Sequence, residues 1–506
     1  LLAALPRLAA RQRRGWRGKQ RAWKGNEQMA QNQDLDELVK AEEEIVEIAR
    51  RFGLDPFPVF FEMVTSYKMY EDAAYGLPGR FNHWTRGKAF YRMKTQYDYG
   101  LSKIYEVVFN TNPAVAYLME QNDLLQNKLV IAHVMGHSDF FKHNAYFQET
   151  SRRMIDKVGI HADRIRKYEF DHGTQEVERF LDAVLSIEEH IDPNAFSRRR
   201  ADKKDKDEPT KGMTSPYDDL WDLEKRSKPE DQDEEFLSKP RKFPAEPEKD
   251  MLLFLAEHAP HLEDWQRDII LIVREEMLYF LPQMRTKVCN EGWASYWHSR
   301  IMREMDLTDS EVTQFAQMHA SVLGPSRTHL NPYHLGYKIL EDIERRWDKP
   351  TKEEQERFGR KPGQGRAKLF EVRELENDVS LLRNYLTKEL VEELDLYIYR
   401  KEGDEWVIVE KDWQKVRDSI VANMTNFGIP YLMIEDADYR RNSELYIKHY
   451  FEGQELDLVY AEKTLQYVYQ LWGRPVHLET NYDGRRVLLS YDGDKNLRTH
   501  LDKERG

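Results

Sequence analysis

The stretch LLQNKLVIAHVMGHSDFF, Leu124 to Phe141, decides how the rest of the chain is read. Its apolar residues recur at helical spacing and predict one long buried helix over this stretch. Four residues advance an α-helix by ~400°, just over one turn, so the imidazoles of His133 and His137 leave the same face. Two histidines so placed can clamp a metal ion. Asn144 returns to the same stripe, whereas His143 falls ~80° away and is a weaker ligand candidate. Taken alone, the pattern more often describes two helical histidines with no ion between them.

A second stretch, NEGWASYWH from Asn290 to His298, lies inside another apolar helical run. Glu291 and His298 are seven residues apart and share a face, with Ser295 between them. Trp293 and Trp297 occupy the opposite side and are expected in the core. A carboxylate in such surroundings is costly unless it is paired or bound to a metal. Gly292 lets a second backbone or a ligand come close. Cys289 points ~200° from Glu291 on a helix and reads as a small buried residue.

The HxxxH helix followed by an NEGxA helix resembles the gluzincin metallopeptidases. That resemblance implies a divalent metal, zinc, held by His133, His137 and Glu291. In gluzincins the residue after the first histidine is a glutamate that serves as general base; here it is Val134. The substitute bases considered are Asp139, Glu169 and His298, and spacing does not choose among them. His161 and Glu169 are candidates for the surrounding polar shell, and His319, His329 and Asn331 are weaker ones.

Longer strings widen the comparison. HVMGHSDFFK from His133, HADRIRKYE from His161 to Glu169, SIEEHIDP from Ser186, the run from Trp265 to Gln283, and NEGWA to His298 together resemble the SpoVR (stage V sporulation protein R-like) family. The resemblance implies a cytoplasmic protein linked to spore cortex formation or, outside spore formers, to stress response. It also implies two partners, a serine protein kinase and a von Willebrand factor A-like protein. It does not itself supply a reaction.

Bulk properties narrow the function classes. The net charge of −13 argues against a nucleic-acid backbone as partner. No apolar run approaches the ~18 residues of a membrane helix. Cys289 is the single cysteine, which excludes an internal disulfide and a cysteine-based zinc knuckle. There is no GxxxxGK[ST] phosphate loop and no GxSxG elbow; Gly363-Gln-Gly365-Arg366 is only a weak anion-site signal.

Residues 1–28 carry eight Lys/Arg and one acid, Glu27. They read as a disordered basic leader, a transit peptide or a mis-started segment ahead of Met29. Residues 29–350 read as a mostly helical zincin-like domain with a small sheet, interrupted by a charged, flexible insertion at 197–250. Tyr67 to Arg92 reads as irregular structure and Ile104 to Asn110 as a strand. Residues 351–368 read as a polar hinge and 369–506 as a smaller α+β domain. That domain is expected to hold a hairpin about Glu402-Gly403-Asp404, further strands that include Leu456–Val459, and helices over 411–426 and 460–472. The expected class is thus α+β. Two functions compete: a metal-dependent hydrolase of peptide or amide bonds with a cell-wall-related substrate, and a non-catalytic, zincin-derived adaptor in a kinase-linked module.

Overall fold

The structure, a computed structural model, describes residues 27–100, 103–104, 106–192, 194, 242–325, 330–403 and 405–501. Residues 1–26 and most of the charged insertion lie outside the described residues. The chain divides into two compact units. The first takes the described residues up to Arg164 together with Tyr279–Gly428. The second takes Ile165–Leu278 with Ile429–Gly506.

The first unit holds a sheet of β1 (Val59–Val64), β2 (Val107–Phe109) and β3 (Ala114–Met119), in the order β1-β3-β2. β1 runs parallel to β3, and β2 is antiparallel to it. The histidine helix, Leu124–His143, follows β3 and starts with a capping box: Asp123 accepts from the Gln126 N–H while the Gln126 side chain accepts from the Asp123 N–H. This pairing satisfies two amide donors that every helix start leaves open. The glutamate helix, Lys287–Glu304, packs on the histidine helix on one side and on the helix Pro332–Asp348 on the other.

Small residues set both approaches. A Cβ at Gly136 would stand 2.7 Å from Ala294 Cα, and one at Gly292 would stand 2.5 Å from Gly336 Cα. Around these contacts Val134, Trp293, Trp297, Ile339 and Ile343 form a dry core, with Ile45 and Ile48 of the helix Glu27–Arg51 against it. Trp293 and Trp297 are buried as their helical positions require.

Two expectations are corrected in this unit. Residues 67–92 are largely helical, Ser66–Tyr75 and Trp84–Asp98, because Thr65 and His83 cap the two starts and Gly76 ends the first helix in the left-handed region. Gly87 is tolerated inside the second helix, and Gly79 lies in the turn between the two. The polar stretch 351–368 is not the place where the units part. Thr351 and Glu354 form a capping box for the helix Lys352–Phe358, and the Gly363 and Gly365 amides donate to Asp348. The Gly365 amide is taken by the Asp348 carboxylate and the Gly363 amide by the Asp348 main-chain carbonyl, so neither is open to an anion. Beyond it, Leu369, Val372, Leu382 and Val391 enter the same core as the ligand helices. The units therefore divide after Gly428, once the hairpin β4 (Ile398–Glu402) and β5 (Glu405–Glu410) and the helix Trp413–Met424 have been added to the first.

The second unit is built on β6 (Leu432–Tyr439), β7 (Glu444–His449), β8 (Val476–Tyr482), β9 (Arg485–Tyr491) and β10 (Asn496–His500), in the order β10-β9-β8-β7-β6. All neighbours are antiparallel except β7 and β8. A parallel pair needs a crossover, and the helix Leu458–Trp472 supplies it, burying Leu465, Val468, Leu471 and Trp472. Leu456–Val459 is accordingly the start of that helix and not a strand, since Asp457 accepts from the Val459 and Tyr460 amides. The class is α+β, with a helix-rich N-terminal region and a sheet-bearing C-terminal one. Among the described residues, no helix is long and apolar enough to cross a membrane.

Candidate metal centre

The close packing of the two ligand helices places His133, His137 and Glu291 at one point. Glu291 Oε2 lies 3.6 Å from His133 Nε2 and 3.4 Å from His137 Nε2. Both separations exceed the ~2.7–3.2 Å of an ordinary N–H···O hydrogen bond. They lie close to the ~3.3–3.4 Å between neighbouring ligand atoms of a tetrahedral ion with bonds of ~2.0–2.1 Å. His133 Nε2 and Glu291 Oε2 are both buried and make no hydrogen bond among the described residues. Buried polar atoms left in this way are costly, and a shared cation satisfies them together.

Glu106, on the chain just before β2, completes the group. Its Oε1 is 3.9 Å from His133 Nε2, and the four residues can bring ligand atoms within 4.8 Å of one another. The cluster lines a cavity of about 500 Å³. Ile104, Val108, Leu129 and Val322 give the lining an apolar part, and Lys287 and Tyr333 also line it.

Neighbours orient the two imidazoles. His137 Nδ1 lies 2.8 Å from Asn290 Oδ1, an acceptor, so Nδ1 carries a proton and Nε2 is the ring nitrogen left to bind an ion. His133 Nδ1 lies 2.8 Å from His298 Nδ1. Electrostatics agree with a cation site. Burial works against a charged His137, yet Glu291, Asn290 and Glu106 beside it outweigh burial and raise its pKa. Burial likewise opposes ionisation of Glu291, but His133, His137 and Lys287 hold its carboxyl well below the usual range. Burial, with Glu291 and Glu106 nearby, raises the Tyr333 phenol.

The other sequence candidates are placed differently. Asp139 is fully buried and engaged on every side. Arg373 Nη1 donates to both its oxygens at 3.0 Å, Trp293 Nε1 donates at 3.0 Å and the Asp55 amide at 2.8 Å. It clamps the histidine helix to its neighbours and does not line the cavity. Glu169 belongs to the second unit and is not among the cavity-lining residues. His298 does line the cavity, but both its ring nitrogens are taken, Nδ1 by His133 and Nε2 by His319 Nδ1 at 2.9 Å. His161 is buried away from the lining, and His143 turns to Asp55. Asn144 ends the helix and donates to the carbonyls of Arg373 and Glu376. Cys289 is buried as expected, and His329 lies outside the described residues. Sequence reasoning missed Glu106 and Tyr333, and gave Asn290, quoted within the glutamate motif, no role of its own. Asn290 could have been found, because it adjoins Glu291 on the same helical run. Glu106 and Tyr333 carry no periodic signal linking them to the histidines.

Residues 32–429 match the family described as SpoVR like protein, and residues 430–483 match the SpoVR-like C-terminal domain. The passage from one to the other falls beside the division between the units at Gly428. The chain is 30% identical over 480 residues to the Escherichia coli (strain K12) protein named "Uncharacterized protein YcgB", covering 88% of this chain and 92% of that one. No solved structure matches it. With nearly the whole described chain covered, the protein belongs to the SpoVR-like family.

Proposed function

We propose that the protein is a metal-dependent hydrolase of peptide or amide bonds, with His133, His137 and Glu291 holding a divalent ion. One observation carries this reading: buried donor atoms from two helices, without hydrogen bonds of their own, converge on a cavity large enough for a substrate. The donor set of two imidazoles and a carboxylate suits zinc. When bound, such an ion polarises a carbonyl and acidifies a water.

The chain's own groups take the remaining roles. Glu106 is the cavity carboxylate not needed as a third ligand, and it accepts the proton that the glutamate missing at position 134 would have taken. Val134 is fully buried in the core and can contribute nothing to the cavity. Tyr333, kept protonated by burial and two carboxylates, donates a hydrogen bond to a substrate oxygen. Lys287 Nζ, 3.4 Å from Glu291 Oε1, holds the free oxygen of that ligand. The apolar part of the lining takes a side chain or acyl group. This activity would serve sporulation, at the spore cortex, or a stress response, in the cytoplasm, on a peptide or cell-wall-related substrate. A serine protein kinase and a von Willebrand factor A-like protein would be its partners.

A second reading makes the protein a zincin-derived adaptor whose ion only ties the helices together. The observation favouring it is Glu106 itself, which could close the fourth position of a tetrahedral site. Metal analysis of the purified protein, beside His133→Ala and Glu291→Ala, tests the site. One equivalent of zinc in the wild type and none in either variant is expected; a wild type that binds no divalent ion ends the hydrolase reading. Peptide hydrolysis by the zinc-loaded protein, lost in Glu106→Gln, separates enzyme from adaptor.

A further inference from the structure

Behind His133 the site continues through imidazoles alone. His133 Nδ1 meets His298 Nδ1 at 2.8 Å, and His298 Nε2 meets His319 Nδ1 at 2.9 Å. In each nitrogen–nitrogen contact one atom must carry a proton and the other must not. These contacts therefore cannot be assigned independently. If His133 presents a bare Nε2 to the cavity, its proton is on Nδ1. His298 Nδ1 must then accept, so the His298 proton is on Nε2. That proton is donated to His319 Nδ1, which leaves the His319 proton on its own Nε2. One choice at His133 sets all three rings.

Packing holds the chain of rings in place. His298 is buried on the glutamate helix, one face away from the tryptophans. His319 sits on the helix Asp309–Val322, stacked on Phe315 at 5.7 Å and edge-on to Tyr337 at 5.5 Å. From that same helix, Met318 and Val322 line the cavity. His137 is oriented by an amide oxygen, which can only accept. His133 faces another imidazole, which can do either, so its tautomer is tied to those of His298 and His319.

We propose that His298, backed by His319, is a positioning residue for the metal centre: it fixes the tautomer and ring angle with which His133 presents Nε2 to a divalent ion. The inference rests on the metal reading above but has a readout of its own. Ligand-orienting partners are commonly worth ~10–100-fold in metal affinity. His298→Asn places an acceptor oxygen where Nδ1 stood, whereas His298→Phe fills the space with no acceptor.

Zinc dissociation constants measured by chelator competition should rise ~10–100-fold in His298→Phe and stay within about threefold of wild type in His298→Asn. Nitrogen-15 histidine spectra of the metal-free wild type should show His133 protonated at Nδ1, with a mixture of tautomers in His298→Phe. Equal zinc affinity in His298→Phe and wild type would overturn the proposal, as would equal losses in both variants, which would point to shape alone. Should the wild type bind no zinc, the hydrolase reading falls. The spectra then still decide this inference, and a His133 protonated at Nε2 in the metal-free protein would sink it.

Discussion

Gly136 of the histidine helix lies against Ala294 of the glutamate helix so closely that a methyl group on Gly136 would come within 2.7 Å of the Ala294 α-carbon. His133 and Glu291 each stand three residues before the contact residue of their own helix, and their donor atoms are 3.6 Å apart. The distance between two helix backbones is thus what sets the distance between the ligands. Gly136→Ala should destabilise the fold by roughly 1–3 kcal/mol through overpacking and weaken zinc binding in the protein that still folds. Gly159→Ala is the control. Gly159 is helical, has open space around the position of a Cβ, and should gain roughly 0.5–1 kcal/mol. Denaturant titrations and chelator competition check both; a Gly136→Ala protein as stable and as zinc-avid as wild type would contradict the packing argument.

The two carboxylates at the cavity should separate by assay. Glu291→Gln is expected to lose zinc and activity together. Glu106→Gln is expected to keep one equivalent of zinc and lose roughly 10²–10⁴-fold in turnover, the usual worth of a general base. Loss of zinc in Glu106→Gln would instead make it a ligand and favour the adaptor.

Zinc should also stabilise. At roughly 100 times its dissociation constant a ligand that binds only the folded state contributes about 2.7 kcal/mol. A higher Tm with zinc is therefore expected for the wild type, and none for His133→Ala; scanning calorimetry with and without chelator is the measurement.

Asp139 offers a contrast between a base and a clamp. Its two oxygens accept from Arg373 and Trp293 in the core. Removing one partner of a buried ion pair leaves the other uncompensated, at about 3–5 kcal/mol. Asp139→Ala should lower the unfolding midpoint sharply, while the zinc content of the folded fraction stays near wild type. An Asp139→Ala protein of normal stability but without activity would return this residue to the catalytic candidates.

Glu42 gives a pH dependence remote from the centre. Burial, with Glu43 beside it, pushes its carboxyl up to about 7 from 4.5. A carboxyl raised on folding binds more protons in the native state, so its contribution is full below 4.5 and declines as pH rises from there to about 7. Glu42→Gln should flatten stability across that window, as followed by denaturant midpoints at successive pH values. A slope unchanged in the variant would assign the dependence to another group.

Periodicity alone determined a good deal. His133 and His137 sit on one helix, and so do Glu291 and His298; within a helix the spacing of residues dictates their face, so each pair could be read from the chain. The buried tryptophans were legible for the same reason, and the α+β class from strand and helix signals together with the family resemblance. What only the tertiary structure decided is which faces meet. Glu106 and Tyr333 reach the histidines from separate elements, joined by no period. The polar stretch about 351–368 looked like a hinge because composition reports exposure and not connectivity, whereas Leu369 and Val391 beyond it bury themselves in the core that carries the ligands. Asp139 and His298 carry the chemistry of a base, but their hydrogen-bond partners come from distant parts of the chain, and those partners occupy the carboxylate of the one and both ring nitrogens of the other.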